Sequence, residues 1–277
     1  MTVRVAVAQF AAGLDRAENR ARVRDAIAAA GRAGAALVVI PEYAMYYDPK
    51  RVADGPGAEP LNGAFVDAVR DAARRARVGV IVGMTEMPEM PEMPEIPGEP
   101  LPDSRAYNTA LAVRADGEPI GVYRKVHLYD AFGYAESDTL RPGEISEPLT
   151  FSLAGIRFGV ITCYDLRFPE AARTLVDVGV TAIALPAAWA VGAGKEDHWA
   201  TLVRARAIEN TCYLLAAGQT GPRCTGQSMI VDPMGVVLAG AGERPGLAVA
   251  ELDPARVEQV RRDNPCLRNR RFRVLGR

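Results

Sequence analysis

A cysteine nucleophile needs a base to take its proton, donors to hold an oxyanion, and a proton source for the leaving group. In this chain of 277 residues, Cys163 is where such partners would gather. It follows the apolar run 158–162, which reads as a buried strand, and precedes a helix-like run at 170–178. A cysteine at the carboxyl end of a buried strand, ahead of a helix, stands where open α/β sheets place their ligands. Backbone N–H groups at such a turn favour negative charge, so the position predicts a lowered thiol pKa and a seat for an oxyanion. Taken alone, Cys163 reads as a buried and inert thiol, the common state of a free cysteine. Two further stretches change that reading.

The first concerns the base. Only two histidines exist, His127 and His198. A Cys–His pair stays open, although His198 beside Trp199 on an expected helix suits a structural role. Glu42 is the stronger base: it follows Pro41 at the end of the apolar run 37–40, where a solvated acid is out of place. A helix cap or an ion pair is its plainer alternative. The second stretch is Val-Tyr-Arg-Lys125-Val-His-Leu. On a strand, Lys125 and His127 would share a face. A lysine beside two carboxylates and a thiolate stays cationic, because opposite charges offset its desolvation, and then acts as an electrostatic clamp. A surface lysine on an edge strand is the alternative.

The elements that must position these residues follow from periodicity and breakers. Strands are expected at 3–8, 37–40 and 78–82, with helices at 15–33 and 63–77 between them. Strand–helix–strand order implies parallel pairing with right-handed crossovers. Residues 86–97 repeat Glu-Met-Pro three times and then give Glu-Ile-Pro, a composition for an extended surface loop inserted in one domain. Hairpins follow at 108–113 with 120–126 and at 149–153 with 156–162. Next come helix 170–178, a strand at 181–185 ending in Pro186, helix 196–209 and a strand at 212–217. Two strands, 229–231 and 236–238, flank a Pro-Met-Gly turn, and strand 248–252 and helix 254–262 close the chain. The early strand–helix–strand unit recurs around Cys163. Two such halves suggest two sheets face to face with helices outside, a four-layer α-β-β-α sandwich spanning 1–277 as a single domain. Converging strand ends would bring Glu42 to Cys163.

A net charge of -1, with 49% hydrophobic and 24% charged residues, offers no electrostatic footprint for nucleic acid or an anionic membrane. The basic stretch 268–277 is expected to be a solvated or subunit-crossing tail. The amino terminus already has a strand pattern, so no signal peptide or membrane span is expected. Cysteines 163, 212, 224 and 266 form no CxxC pair, which points to a reduced, cytoplasmic protein and no metal site.

Pro41-Glu42, Tyr-Arg-Lys125-Val-His-Leu and Cys163-Tyr-Asp-Leu-Arg-Phe-Pro-Glu, in that order, resemble the Glu-Lys-Cys signature of the nitrilase superfamily of carbon–nitrogen hydrolases. Stretches 135–143, 202–210 and 229–235 also resemble family segments, so the likeness runs along nearly the whole chain. It is closest to the Nit-type amidases, which include omega-amidases and the amidase for deaminated glutathione. True nitrilases typically have Cys-Trp-Glu where this chain has Cys163-Tyr164-Asp165. The resemblance implies the α-β-β-α sandwich paired into homodimers or larger assemblies, with no metal or organic cofactor. It implies that Cys163 attacks an amide carbonyl, Glu42 moves the protons, and Lys125 with the backbone N–H of Tyr164 holds the oxyanion. A thioester would form and be hydrolysed to acid. Glu136 would match the family's second glutamate, which orients Lys125 and the substrate; a solvated loop acid is the alternative. Tyr43, Tyr46, Tyr47, Phe132, Tyr134, Ala187 and Trp189 are candidate pocket residues because they follow expected strand ends or catalytic residues. Arg167 could pair with a substrate carboxylate, or bridge to Glu170. An N-carbamoyl hydrolase or nitrilase on the same residues, a metal-dependent phosphoesterase, and a non-catalytic binding protein remain the competing readings.

Overall fold

The computed structural model describes residues 1–48, 57–89 and 103–274. The first half of the chain gives β1 (Val3–Gln9), α1 (Arg16–Arg32), β2 (Leu37–Val39), α2 (Ala64–Ala76), β3 (Gly79–Glu86), β4 (Tyr107–Val113) and β5 (Pro119–Arg124). A small hairpin of β6 (Asp130–Ala131) and β7 (Tyr134–Ala135) follows. The second half gives β8 (Thr150–Leu153), β9 (Ile156–Val160), α3 (Pro169–Asp177), β10 (Ala182–Ala187), α4 (Lys195–Asn210), β11 (Tyr213–Gly218), β12 (Met229–Val231), β13 (Val237–Gly240), β14 (Gly246–Leu252) and α5 (Pro254–Asp263).

Alternation along the strands divides the core into layers. In β1, Val3, Val5 and Val7 face the second sheet, while Ala6 and Ala8 face α1 and α2. Phe158 and Val160 of β9 meet that inner layer, with Leu215 and Ala217 of β11. On the far side, Ile183, Leu185 and Leu214 pack against Leu175 of α3 and Trp199 and Val203 of α4. The result is α-β-β-α. The sheets run β14-β1-β2-β3-β4-β5 and β13-β12-β11-β10-β9-β8. Parallel pairing holds for β1–β2–β3 and β9–β10–β11, the two strand–helix–strand units read from the sequence.

Two local expectations, on Pro186 and on the Glu-Met-Pro run, are corrected, and β14 adds a pairing that the sequence left open. The last strand leaves its own half: β14 pairs antiparallel with all of β1, from Val3 opposite Leu252 to Gln9 opposite Gly246. Pro186 does not end β10 but lies within it, opposite Ala217. The ladder to β9 stops at Ala184 and Val160, so the N–H that proline lacks would have faced a side with no strand to receive it. The Glu-Met-Pro run does not open as loop: Glu86 ends β3, buried, with Thr109 and Arg124 on its carboxylate. Its residues 90–97 lie outside the described ones. The tail is solvated from Arg268 to Arg273, as expected, and Arg270 Nη1 reaches Asp177 of α3 at 3.1 Å.

The strand ends do converge. Phe10 and Gln219 form a parallel bridge between the sheets, and the Gln219 side chain donates to Glu42 O at 3.0 Å while accepting from Ala12 N at 2.7 Å. Gly83 of β3 lets the chain after β2 approach closely: a Cβ there would fall 2.4 Å from Glu42 Cα.

Candidate active site

Glu42 leaves β2 behind Pro41 and is buried. Its Oε1 accepts from Asn108 Nδ2 at 2.7 Å and Lys125 Nζ at 3.0 Å, and its Oε2 from the Ala188 N–H at 2.6 Å. Lys125 is not on a strand. β5 stops at Arg124, and the Lys125 N–H bonds Asn108 O at 2.8 Å. The chain then turns, so Lys125 and His127 do not share a face: the ammonium points inward and is 2% exposed, whereas the His127 side chain is 31% exposed. Lys125 Nζ also bonds Glu136 Oε2 at 2.9 Å. Glu136 opens a short 3-10 turn and is buried, not solvated. It accepts from the Tyr43 hydroxyl, from Asn108 Nδ2 at 2.9 Å and from the Tyr129 N–H at 2.6 Å.

Cys163 opens the 3-10 turn 163–167 with φ 44°, a left-handed conformation that costs an L residue about 1–2 kcal/mol. Asp165 fixes that turn. Wholly buried, its carboxylate accepts from Thr162 N at 2.8 Å, the Tyr123 hydroxyl at 2.8 Å, and His127 N and Nδ1 at 3.2 and 2.7 Å. The His127 ring stacks on Phe168 at 3.8 Å. Asp165 thus ties the strand end that carries Lys125 to the turn that carries the sulfur. The first hydrogen bond of the turn is Asp165 N to Thr162 O, so the Tyr164 N–H precedes it and has no acceptor within the turn.

The thiol expectation is reversed. Burial pushes the Cys163 pKa well up, the Glu42 carboxylate adds to this, and Lys125 offsets only part. The sulfur therefore rests as a thiol beside the Glu42 carboxylate. Burial alone would pull Lys125 down, but Glu136, Glu42 and Cys163 hold its pKa well above the usual value. Burial likewise opposes the Glu136 carboxylate, and Lys125 overrides it, so Glu136 titrates below the ordinary range.

These groups meet in a cavity of about 440 Å³. Tyr43, Tyr47, Phe132, Tyr134, Arg167 and Trp189 line it, as does Tyr164. Ala187 does not: it is buried in β10, and the next residue, Ala188, reaches the cavity. Tyr46 is also absent from the wall. Neither histidine lines it, so no Cys–His pair forms; His198 faces Arg167 Nη2 at 3.4 Å. Arg167 bridges no acid among the described residues, Glu170 included. Sequence reasoning missed Asn108, Tyr129, Ala188 and Lys195. A lone amide inside the apolar run 107–113 was a signal for Asn108; Lys195, which opens α4 directly behind the glycine-rich run 192–194, had none. Among the described residues no three His, Cys, Asp or Glu side chains group as a metal site, and no helix is long and apolar enough to cross a membrane.

Residues 4–262 match the family model described as carbon-nitrogen hydrolase. The chain belongs to the carbon–nitrogen hydrolase family. A family relative, the deaminated glutathione amidase of Escherichia coli O157:H7, is 39% identical over 97% of both chains. The NitFhit protein of C. elegans superposes with a TM-score of 0.82 at 29% identity, over 98% of this chain and 65% of that one. An amidase from Nesterenkonia sp. AN1, a double mutant in complex with acrylamide, superposes with a TM-score of 0.79 at 29% identity, over 97% of this chain and 94% of that one. Another structure of that amidase shows the acetamide moiety of fluoroacetamide covalently added at its active-site cysteine, at 30% identity, a TM-score of 0.77 and 96% coverage of each chain. The carbon–nitrogen hydrolase fold of these enzymes is the four-layer arrangement described above.

Proposed function

We propose that this carbon–nitrogen hydrolase is an amidase that converts small amides bearing a carboxylate to acid and ammonia. The observation that carries the reading is the Lys125 ammonium held between Glu42 and Glu136, with the neutral Cys163 thiol in the wall of the same cavity. As the substrate carbonyl meets Cys163 Sγ, the thiol proton passes to Glu42 and the C–S bond forms. The developing oxyanion is held by Lys125 and the Tyr164 N–H, charges already oriented in a site of low dielectric. Glu42 then gives its proton to the departing nitrogen, and the C–N bond breaks to leave a thioester. Glu42 next takes a proton from water, hydroxide adds to the thioester, and the acid leaves as the thiol is restored. Glu136 stays ionised throughout and keeps Lys125 cationic and in place.

Two observations favour acidic amides: relatives carry the name deaminated glutathione amidase, and Arg167 reaches the cavity wall with no acid paired to it among the described residues. Intact-protein mass spectrometry against a panel of amides, carbamoyl amino acids and nitriles tests the reading. An acyl adduct on Cys163 that accumulates only with amides is expected, with amide turnover lost in Cys163→Ala at an unchanged melting temperature. Normal turnover by that variant would sink the assignment.

A further inference from the structure

Two cations in the cavity wall are left over once the chemistry is assigned. Lys125 is balanced by Glu42 and Glu136. Arg167 and Lys195 line the same cavity, and neither has a carboxylate partner among the described residues. Charges drawn out of water are ordinarily paired. Arg167 Nε is buried without an acceptor. Lys195 is a buried residue whose Nζ makes one hydrogen bond, to the Tyr129 hydroxyl at 2.9 Å. Burial, and then the charge of Arg167, push the Lys195 pKa down, as expected where like charges share a site.

What surrounds the two cations is aromatic. Lys195 Nζ lies 3.6 Å from the centroid of Phe132 and 5.9 Å from that of Trp189. The Arg167 guanidinium lies 5.6 Å from Phe132 and 4.8 Å from Trp189. One ring, Phe132, therefore serves both charges. That ring sits at the tip of the β6–β7 hairpin with φ 59°, ahead of Gly133 at φ 78°. Such a two-residue turn suits Asn-Gly, and a phenylalanine there is strained. An outward, 68% exposed aromatic kept in a costly conformation over two unpaired cations suggests a cap on a binding seat rather than core packing. Ring faces answer a cation only weakly, whereas a carboxylate gives charge-assisted hydrogen bonds.

The geometry points to Lys195 as the specificity-determining residue of this enzyme: with Arg167 it grips the substrate's carboxylate, beneath a cap made by Phe132. This rests on the amidase reading and names the side chain that selects among amides. Two donor groups converge on one seat, so an anionic acyl group is drawn in and an uncharged one leaves both cations unanswered.

The test pairs the monoamides of succinate, glutarate and adipate with amides in which an isopropyl group replaces the carboxylate. Wild type should favour the best acidic amide over its uncharged counterpart. Lys195→Met should lower that preference, as a ratio of kcat/KM values, by at least about tenfold, chiefly through KM. Lys195→Arg should restore most of it, which separates lost charge from lost packing. Calorimetry with succinate, glutarate and adipate gives a second readout, and Lys195→Met should weaken the tightest diacid at least about tenfold. Equal losses on charged and uncharged amides overturn the inference. So does equal diacid affinity in wild type and Lys195→Met, or no diacid binding by wild type. If wild type cleaves no amide in the panel, the amidase reading fails while the diacid titration still decides the role of Lys195.

Discussion

Lys125 meets two opposed demands. Burial disfavours its charge, and the proposed reaction needs that charge at the moment an oxyanion forms. Two carboxylates resolve the conflict, at 3.0 and 2.9 Å. Lys125→Met should therefore lower turnover by orders of magnitude, measured as kcat on a preferred amide, with a melting curve to show that the fold persists. A loss below about tenfold, roughly 1.4 kcal/mol, would remove the ammonium from a central transition-state role. Glu42 and Cys163 stood out in the sequence because each is a reactive residue ending an apolar run, and Lys125 because it lies inside a strand-like stretch. Two things did not show there. The thiol pKa did not, because the sequence carries the turn's N–H groups, the burial and Glu42 without their relative weights, and in the fold burial and Glu42 win. Lys195 was invisible because it opens α4 just ahead of the helix read at 196–209, where no periodicity says which way a side chain points.

Among the elements, β3 sets the position of Glu42 through an absence. Gly83 leaves room for the chain after β2, and a Cβ would also fall 2.8 Å from Pro41 O and 2.9 Å from Tyr43 N. Those contacts are backbone, which cannot swing aside as a flexible side chain does. Gly83→Ala should lose about 1–3 kcal/mol of stability and at least about tenfold in kcat. Wild-type turnover in that variant would show that β3 does not place the base. The parallel strand–helix–strand units were legible from apolar runs and helix breakers, and so was the layering. The return of β14 to β1 was not, because a half-repeat says nothing about strands outside it. The end of β5 was not either: alternation continues through Lys125 and His127 in sequence, while Asp165 pulls His127 away to the nucleophile's turn.

At the scale of the molecule, the two sheets bury their inner faces against each other and give α1, α2, α3 and α4 the outer ones. Not all apolar surface is covered. Ile208 on α4 and Met234 and Val236 on the adjoining turn are exposed, and Gly235 packs against Ile208. The homodimer that the family resemblance implies is an expectation that can be tested at this patch. Sedimentation should show a dimer or larger species in wild type, and Ile208→Glu with Met234→Glu should shift it toward monomer. A wild-type monomer at tens of micromolar (association of about 6 kcal/mol or weaker) would dismiss the patch as an interface.

The protonated sulfur of Cys163 has a consequence that reaches past the reaction. Peroxide oxidises thiolates far faster than thiols, so conversion to sulfenic acid demands a sulfur already stripped of its proton. Here that happens only as an electrophile draws the proton onto Glu42. Between turnovers the Cys163 sulfur is shielded by the proton it retains, and oxidative loss should track catalytic use rather than mere exposure to oxidant.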